Sequence, residues 1–568
     1  MACALPSLSS LLRELGPKVN GLRGFELVSL LSTMHRVQGG EEIVVAAERV
    51  AASLDEHGVE YRLERYTGPL GLHERWGFWE PRGWRLLEAE ILVEGKLYAS
   101  AREHPLLVAA GSPAGEAEGK AERLADLLEA SKLSSKIVVV EGFRREHYWR
   151  LEKLGERPDL IIAFHRGPGI RYYSIFPPYF RSPPTIMVMS LDEKRAFGLQ
   201  RKRIRARIEA SYGLAEIPIL HAWVGYEKDP GILLIAHICH PKPGAHDNAS
   251  GVAVVAEALA TLRSYEHVFK EYGLSVHALI VPEYTGTAIA FDMSLVEPEI
   301  LIAATSIDMV GADYNVTGGA PLYYQSLYML ASPLDPVLYR GLYLAHSTSE
   351  GFSGERYPER GVHLLPYSWG SDHDIAASLG IPSSLVNDWP DKYYHTSMDY
   401  PSNLSIENLA RTIAALSSAL IYMAYERQKL GKLLEDWIAY TSQKLLVDSL
   451  TTSQETAEMV RGMSGKMRDK SLERLYSILR RGEAPKPPRA RIRGPISASY
   501  LELLAKSDIR EKLSQVSNTG LYLGLASIAL SALGPHGALI ELRIRVGNRL
   551  NEEALSQVSS LMGLEEDS

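Results

Sequence analysis

The sequence has little cysteine, no excess of basic residues and no long uninterrupted hydrophobic run. Only two cysteines, Cys3 and Cys239, occur in 568 residues, which excludes a disulfide framework and is typical of a reducing cytosol. A formal net charge of -8 argues against a nucleic-acid-binding surface over the whole protein, so we expect no nucleic-acid partner. The most apolar late stretch, Leu521 to Leu533, is interrupted by serine and glycine and is too short to cross a bilayer. We therefore expect no membrane partner.

The composition is that of a globular protein of several domains. Hydrophobic residues make up 46% and charged residues 23% of the chain, as in ordinary folded proteins. The N-terminal residues lack a basic segment ahead of their apolar positions and include Pro6, which does not match a signal peptide. These features predict a cytoplasmic protein, and the length allows two to four domains.

The stretch from Gly231 to Ala260 carries the strongest functional pattern. A short apolar run that predicts a buried strand leads to His237, Cys239 and His240, and Asp247 follows just before an apolar helix. Open α/β sheets bind their ligands where a strand end meets a helix N-terminus, and imidazole and carboxylate groups are zinc ligands. Each residue alone also has an ordinary explanation, because an aspartate can cap a helix and a histidine can be packed in a core.

Other predicted strands end in similar groups. Glu283 follows the run Val276 to Val281, Asp308 ends the run from Ile300, and His395 lies in a loop after Pro382 to Val386. A further polar loop contains Asp372, His373 and Asp374. One charge at a strand end is usually just solvated, but several at one sheet edge favour a shared site.

The chain pattern predicts an α/β protein with a mixed central sheet flanked by helices, an inserted α/β domain and a mainly helical C-terminal module. The predicted divisions are 1–66 and 216–430 for the two parts of the main domain, 67–215 for the insert and 431–568 for the C-terminal module.

Four local predictions accompany this organisation. Ile217 to Val224 and the next strand should form a β-hairpin. Residues 144–155 should form a helix between two strands of the insert. The basic block Arg201 to Arg207 should be a solvated strand face, and Leu542 to Val546 should be a short strand of a winged helix.

The sequence resembles the zinc exopeptidases related to bacterial leucyl aminopeptidase, aminopeptidase Y and the animal glutaminyl cyclases. The resemblance rests on the segments RVQGG, HICHPKPGAHDNASG, VPEYTG, SIDMVG, GSDHD and YYHTSMD. The insert is similar to a protease-associated domain. The CHP variant of the second segment is similar to an aminopeptidase-like branch that has this insert and, often, a C-terminal winged-helix-like module.

The resemblance implies a ligand set for zinc. Asp247 matches the central ligand, His395 a second ligand, and Asp308 the carboxylate on the other metal. His237 aligns with the strand-end histidine of the family, whereas His240 belongs to the CHP signature; we favour His240 and keep His237 as the alternative. Cys239 ranks below both, because it stands where the main family has an aspartate that orients the site.

The resemblance also implies roles beyond the ligands. Glu283 matches the general base that removes a proton from the attacking water. Tyr284 stands where two-zinc members have a second glutamate ligand, so we expect one tightly bound zinc and a second that is weak or absent. Asp372, His373 or Tyr367 should contact the substrate carbonyl or amine, or brace the ligands.

Three functions remain open at this point. The first is a zinc-dependent aminopeptidase, a homo-oligomer in which the C-terminal module serves dimerisation, acting on a peptide or aminoacyl substrate. The second is a zinc amidohydrolase or cyclase with the same fold and a non-peptide substrate. The third is a binding or regulatory protein with a decayed peptidase core, whose C-terminal module contacts DNA or a partner. Tyr284 motivates the last two, whereas the presence of Glu283, Asp247, Asp308 and His395 argues against decay.

Overall fold

The structure is a computed structural model that describes residues 5–68, 70, 72, 76, 82–124, 136–143, 157–175, 184–450, 454–481 and 519–546. Its strands are β1 Glu60–Thr67, β2 Gly83–Val93, β3 Lys96–Ser100, β4 Gly115–Leu124, β5 Ile137–Glu141, β6 Leu160–Phe164, β7 Met187–Ser190, β8 Arg203–Gly213, β9 Glu216–Val224, β10 Gly231–His237, β11 Ser275–Val281, β12 Leu301–Ile307, β13 Ala320–Tyr324, β14 Ser347–Glu350, β15 Arg356–Pro358, β16 His363–Leu365 and β17 Ser383–Trp389.

The described helices are α1 Leu8–Leu15, α2 Gly21–Leu31, α3 Glu41–Glu56, α4 Glu193–Phe197, α5 Gly251–Arg263, α6 Glu266–Tyr272, α7 Thr285–Asp292, α8 Tyr314–Thr317, α9 Leu334–Ala345, α10 His373–Ser378, α11 Ile406–Tyr425, α12 Leu430–Leu450, α13 Gln454–Arg481 and α14 Thr519–Val546. None of the helices in these ranges combines the length and apolar character that crossing a bilayer requires.

The main sheet has eight strands in the order β1-β9-β11-β10-β12-β17-β13-β16. Its centre is parallel, because β10 pairs in parallel with β11 and β12, and β12 with β17. The carboxyl ends of these four strands therefore meet at one edge. This mixed sheet flanked by helices agrees with the predicted fold class.

Burial on both faces explains why the central strands are continuous apolar runs rather than alternating ones. In β10, Ile232 and Leu234 pack into the core formed with α1, α2, α3, α5 and α11. Leu233 and Ile235 pack into a second core that includes residues of α7 and α10. Every residue of β10 is buried, so the strand is held rigidly beneath the loop that follows it.

The predicted β-hairpin of β9 and β10 is wrong. β11 lies between them, antiparallel to β9 and parallel to β10. The connection from Gly225 to Pro230 is long enough to cross one strand, because two strand spacings are only about 10 Å and six residues span up to about 20 Å. Because both faces of β10 are buried, parallel neighbours are favoured. The connection through α5 and α6 places β11 beside β10 in the parallel direction.

A second sheet, here called the insert sheet, has seven strands in the order β3-β2-β8-β4-β5-β6-β7. All of its strands lie between residues 83 and 213. In β8 the arginines Arg203, Arg205 and Arg207 are exposed while Ile204 and Ala206 are buried, as predicted for a solvated strand face. The domain boundaries and the likeness to a protease-associated domain stay predictions, and the helix predicted at 144–155 lies outside the described residues.

The C-terminal region corrects another prediction. Residues 542–546 belong to α14, which bends at Gly534, so the strand predicted there is wrong. Leu539, Ile540 and Leu542 pack into the main core, and this tertiary packing outweighs a five-residue alternation that suits a strand or a helix. The rest of the predicted winged helix, 482–518 and 547–568, lies outside the described residues.

A buried histidine pair in the main sheet generates a test of acid stability. His221 Nε2 lies 3.1 Å from His277 Nδ1, and His277 Nε2 lies 3.0 Å from Ser275 Oγ. Burial, with the nearby Lys228, lowers the pKa of His277 from 6.5 to about 4. Burial and His277 lower the pKa of His221 to about 2.

Both histidines are harder to protonate in the folded state than in the unfolded chain. Their contribution to stability is therefore full above pH 6.5 and is lost as the pH falls from there towards about 4. The unfolding free energy of the wild-type protein should fall between about pH 7.5 and about pH 5.5. In His277→Gln we expect this fall to be smaller by about 1 kcal/mol. Denaturant unfolding of both proteins at the two pH values checks this, and equal losses would contradict it.

Candidate metal centre

The carboxyl edge of the main sheet gathers the side chains that the sequence analysis selected. β10 ends at His237, Asp308 follows β12, and Glu283 follows β11. His240 and Asp247 lie in the loop between β10 and α5, and His395 lies after β17. The parallel arrangement of the central strands therefore places these residues at one edge, as the strand-end pattern predicted.

Six side chains form two donor groups. The first donor group is His237, Glu283 and Asp308, and the second donor group is His240, Asp247 and His395. Within each group the ligand-type atoms lie within 4.8 Å of one another. Both histidines that the sequence left as alternatives are thus at the site, in different groups.

Asp247 joins the two groups. Its Oδ1 lies 3.3 Å from His237 Nε2, whereas its Oδ2 lies 3.3 Å from His240 Nε2 and 3.0 Å from His395 Nε2. Asp308 Oδ1 completes the first group at 3.4 Å from His237 Nε2. One carboxylate therefore faces imidazole nitrogens on both sides and links the two donor groups.

The donor atoms are suited to a cation. His237 Nδ1 lies 3.0 Å from the carbonyl of Cys239, and His240 Nδ1 lies 2.7 Å from that of Pro241. Because a carbonyl only accepts, each Nδ1 carries a hydrogen, so it is Nε2 of each ring that faces the site and would donate its lone pair to a cation after losing its proton. His240 Nε2 and Asp308 Oδ1 are buried and have no hydrogen-bond partner among the described residues. Such nitrogen and oxygen donors suit zinc.

The electrostatics of the site also favour positive charge. Burial opposes protonation of His237, but Asp308 and Glu283 raise its pKa well above the ordinary value. Burial opposes ionisation of Asp247, yet His240 and His237 hold its pKa well below the usual range. The carboxylates therefore stabilise a cation at the place where the imidazole Nε2 atoms converge.

Arg36 positions the loop that carries His240. Its buried guanidinium donates to the carbonyls of Ile238 and Gly244 at 2.9 Å each, and the His240 N–H donates to the Arg36 carbonyl at 2.9 Å. This explains why the RVQGG segment, distant in sequence, belongs to the site.

Cys239 is in neither donor group. Its Sγ accepts the backbone N–H of Glu283 at 3.1 Å and lies 3.6 Å from Gln38 Nε2. Gln38 also donates to the Glu283 carbonyl at 2.9 Å. Cys239 and Gln38 therefore orient the turn that carries Glu283, which agrees with the lower rank of Cys239 as a ligand.

Two supporting residues were missed by the sequence analysis. Asp399 accepts the backbone N–H groups of His246 and Asp247 at 2.9 and 3.0 Å, and Ser371 donates to Asp308 Oδ2 at 2.7 Å. Asp399 lies in the segment YYHTSMD and Ser371 in the segment GSDHD, and both segments carry the resemblance. Their position in these segments is the sequence signal that could have identified them. Asp399 fixes the backbone at Asp247, and Ser371 fixes the carboxylate of Asp308.

Tyr284 forms hydrogen bonds to two aspartates outside the donor groups. Its N–H donates to Asp372 Oδ1 and its hydroxyl to Asp374 Oδ2, both at 2.8 Å. The second donor group nevertheless has three members, because His240 occupies it. The third donor of this group is therefore a histidine from another loop, and Tyr284 is in neither group.

The three predicted substrate contacts lie behind the cleft. Asp372 accepts from Thr287 Oγ1 at 2.5 Å, His373 Nε2 lies 2.7 Å from the Ser368 carbonyl, and Tyr367 donates to Asp374 at 2.5 Å. None of the three belongs to the described cleft wall. Asp372 bonds to Tyr284 directly and Tyr367 shares Asp374 with it, so both brace the turn around Tyr284. Direct contact of the three residues with substrate stays a prediction that this geometry does not support.

The donor groups open into a cleft of about 430 Å³. One part of the cleft wall is apolar and aromatic. On the side of the insert sheet, Tyr172 and Ser174 also line the cleft. The apolar and aromatic part consists of Met309, Tyr324, Leu385, Trp389 and Tyr394. Among the described wall residues there is no lysine or arginine.

Glu283 has an unusual protonation equilibrium. Burial raises its pKa to about 8; His237 opposes this shift, and the neighbouring carboxylates Asp372, Asp308 and Asp247 add to it. A carboxyl with this pKa holds its proton at neutral pH, and a cation bound beside it would favour the carboxylate. Its place in the cleft wall therefore suits proton transfer.

Comparison with known proteins identifies the fold. No family model matches the sequence, and no curated protein matches it. A solved M28 peptidase precursor from Shewanella amazonensis is similar, with 16% identity, a TM-score of 0.53 and coverage of 74% of this chain and 96% of that chain. A zinc aminopeptidase from Bacillus subtilis has 14% identity, a TM-score of 0.51 and coverage of 72% and 95%.

The chain thus has the fold of these zinc aminopeptidase and M28 peptidase structures. This confirms the predicted fold class. It also confirms that the fold resembles that of zinc exopeptidases, as the sequence motifs implied. The narrower branch, the kind of insert and the winged helix stay predictions.

The adjacent residues Cys239 and His240 allow a matched test of the donor groups. We expect Cys239→Ser to bind as much zinc per chain as the wild-type protein, because Sγ lies outside both groups. His240→Ala should bind less zinc, because the second group then keeps only two donors. Metal content after reloading and desalting checks both variants, and a loss in Cys239→Ser alone would contradict the assignment.

Proposed function

We propose that this protein is a metal-dependent aminopeptidase that hydrolyses the N-terminal residue of peptides. The observation that carries the proposal is the pair of donor groups joined by Asp247, with Glu283 beside them in the wall of a cleft. The fold shared with zinc aminopeptidase structures supports it.

In this proposal the site would hold two zinc ions. His237 and Asp308 would hold one ion, His240 and His395 the other, and Asp247 would serve both, which leaves Glu283 of the first donor group free of metal. When bound, zinc supplies a Lewis acid for the scissile carbonyl and lowers the pKa of water. The expectation of a weak or absent second ion rested on Tyr284, and the presence of His240 in the second group supports two ions instead.

Glu283 acts as the general base. Its carboxylate removes a proton from the attacking water and later returns it to the leaving amine. The hydrogen bonds from Gln38 to the Glu283 carbonyl and from the Glu283 N–H to Cys239 Sγ keep its backbone in place for both transfers.

The cleft suits a substrate with an apolar first side chain. Met309, Leu385 and Trp389 offer apolar surface, which favours burial of aliphatic or aromatic groups. An acidic side chain would find no lysine or arginine among the described wall residues. Hydrolysis of leucyl and phenylalanyl substrates should therefore exceed that of aspartyl and glutamyl substrates.

Glu283→Gln tests the catalytic role. The amide keeps the shape of the side chain but cannot accept the proton, so we expect turnover of leucyl and phenylalanyl peptides to fall by about 10² to 10⁴-fold with zinc content near that of the wild-type protein. Glu297→Gln, at a partly exposed residue paired with Lys228, is the control and should keep full activity. Full activity in Glu283→Gln would contradict its role as base.

Metal removal separates the three functions that the sequence left open. Dialysis against a chelator should abolish peptide hydrolysis, and added zinc should restore it. Metal content by plasma emission spectroscopy accompanies each assay. Bound zinc without peptide or aminoacyl hydrolysis would favour an amidohydrolase or cyclase, and absence of bound zinc would favour a binding protein.

A further inference from the structure

The insert sheet region reaches the second donor group through the segment from Ile170 to Tyr172. The N–H of Tyr172 donates to the carbonyl of His395 at 2.7 Å. The N–H of Ile170 donates to Ser397 Oγ at 3.0 Å, and the N–H of Ser397 donates to the Ile170 carbonyl at 2.8 Å. This segment and the loop of His395 thus form a short antiparallel pairing between residues more than two hundred positions apart.

The Tyr172 ring contacts two imidazoles at once. Its centroid lies 5.3 Å from the His240 ring and 5.3 Å from the His395 ring, with interplanar angles of 61° and 71°. The two imidazoles lie 5.4 Å apart. These are edge-to-face geometries, which are favourable for aromatic pairs. One side chain of the insert therefore spans both histidines of the second donor group.

His395 depends on such packing for its orientation. The rings of His237 and His240 are each fixed by an Nδ1 hydrogen bond to a nearby carbonyl. Within the described residues, the ring of His395 has no corresponding bond to a carbonyl. It is stacked on Tyr394 at 3.8 Å and flanked by Tyr172. Its backbone has φ of 58°, a conformation that is uncommon for residues other than glycine and needs support from its surroundings.

We propose that Tyr172 is a positioning residue for the metal held by His240 and His395, so that the insert is a structural part of the metal centre. This inference rests on the metal site of the proposed function. The tyrosine ring holds both imidazoles in the orientation in which their Nε2 atoms meet Asp247 Oδ2. Both imidazoles that the Tyr172 ring contacts belong to the second donor group. The first donor group should therefore keep its geometry when the Tyr172 ring is removed.

The experiment compares zinc affinity in variants of the full-length chain. Tyr172→Ala removes the ring, Tyr172→Phe keeps it, and Tyr98→Ala is the matched control. Tyr98 is a partly buried tyrosine of the insert sheet whose hydroxyl donates to the Arg195 carbonyl at 2.8 Å. Each protein is stripped of metal, then titrated with zinc against a chromophoric chelator, and its cobalt form is recorded by absorption spectroscopy.

We expect Tyr172→Ala to weaken the affinity of one zinc site by about 10- to 100-fold, the usual effect of losing a residue that orients a ligand. The other zinc site, the Tyr172→Phe variant and the Tyr98→Ala variant should match the wild-type protein. A cobalt spectrum changed only in Tyr172→Ala would support the same conclusion, because a general loss of stability leaves the ligand geometry unchanged.

Three outcomes would overturn the inference. Wild-type affinity at both sites in Tyr172→Ala would show that the ring does not position the histidines. Equal weakening in Tyr172→Phe and Tyr172→Ala would assign the effect to the hydroxyl group, and equal weakening in Tyr98→Ala would assign it to the fold of the insert. Tyr172→Leu replaces Tyr172→Ala in the comparison if the alanine variant does not fold. Failure of the wild-type protein to bind zinc would instead overturn the proposed function.

Discussion

The carboxylate of Asp247 is the interaction on which the rest of the site depends. It is buried between His237 on one side and His240 and His395 on the other. A buried charge is costly unless it is paired and hydrogen-bonded, and here the pairing comes from three imidazoles on two loops and a strand end. Asp399 holds the backbone of Asp247, so the charge is both compensated and fixed in direction.

Three distant parts of the chain build the cleft around this carboxylate. The main sheet supplies the donors, the segment near Tyr172 supplies one wall, and α14 packs behind another. Glu541 of α14 accepts the N–H groups of Tyr328 and Met329 at 3.2 Å each. A Cβ on Gly524 would approach the indole of Trp369 to 2.6 Å, so only glycine allows this close contact beneath a residue of the cleft wall.

Much of the fold was predictable because burial leaves a local pattern. β10, β11 and β12 are apolar runs, and their polar end residues marked the site edge before the structure was considered. Predictions failed where the local pattern admits two solutions. The spacing of β9 and β10 suits a hairpin or a crossing connection, and the short alternation in residues 542–546 suits a strand or a helix. Asp372 was expected to contact substrate or to brace the ligands, and its bonds to Tyr284 and Thr287 agree with a bracing role.

The amino-acid sequence alone established the types of donor and their positions after buried strands, because strand burial and ligand chemistry are properties of short segments. Only the tertiary structure decided that His237 and His240 lie in different donor groups, that Tyr284 bonds to Asp372 and Asp374 rather than joining either group, and that Tyr172 flanks the second donor group. These facts depend on the order of parallel strands and on the docking of the insert. Both are set by long-range packing, which leaves no periodic signal in the residues that it brings together.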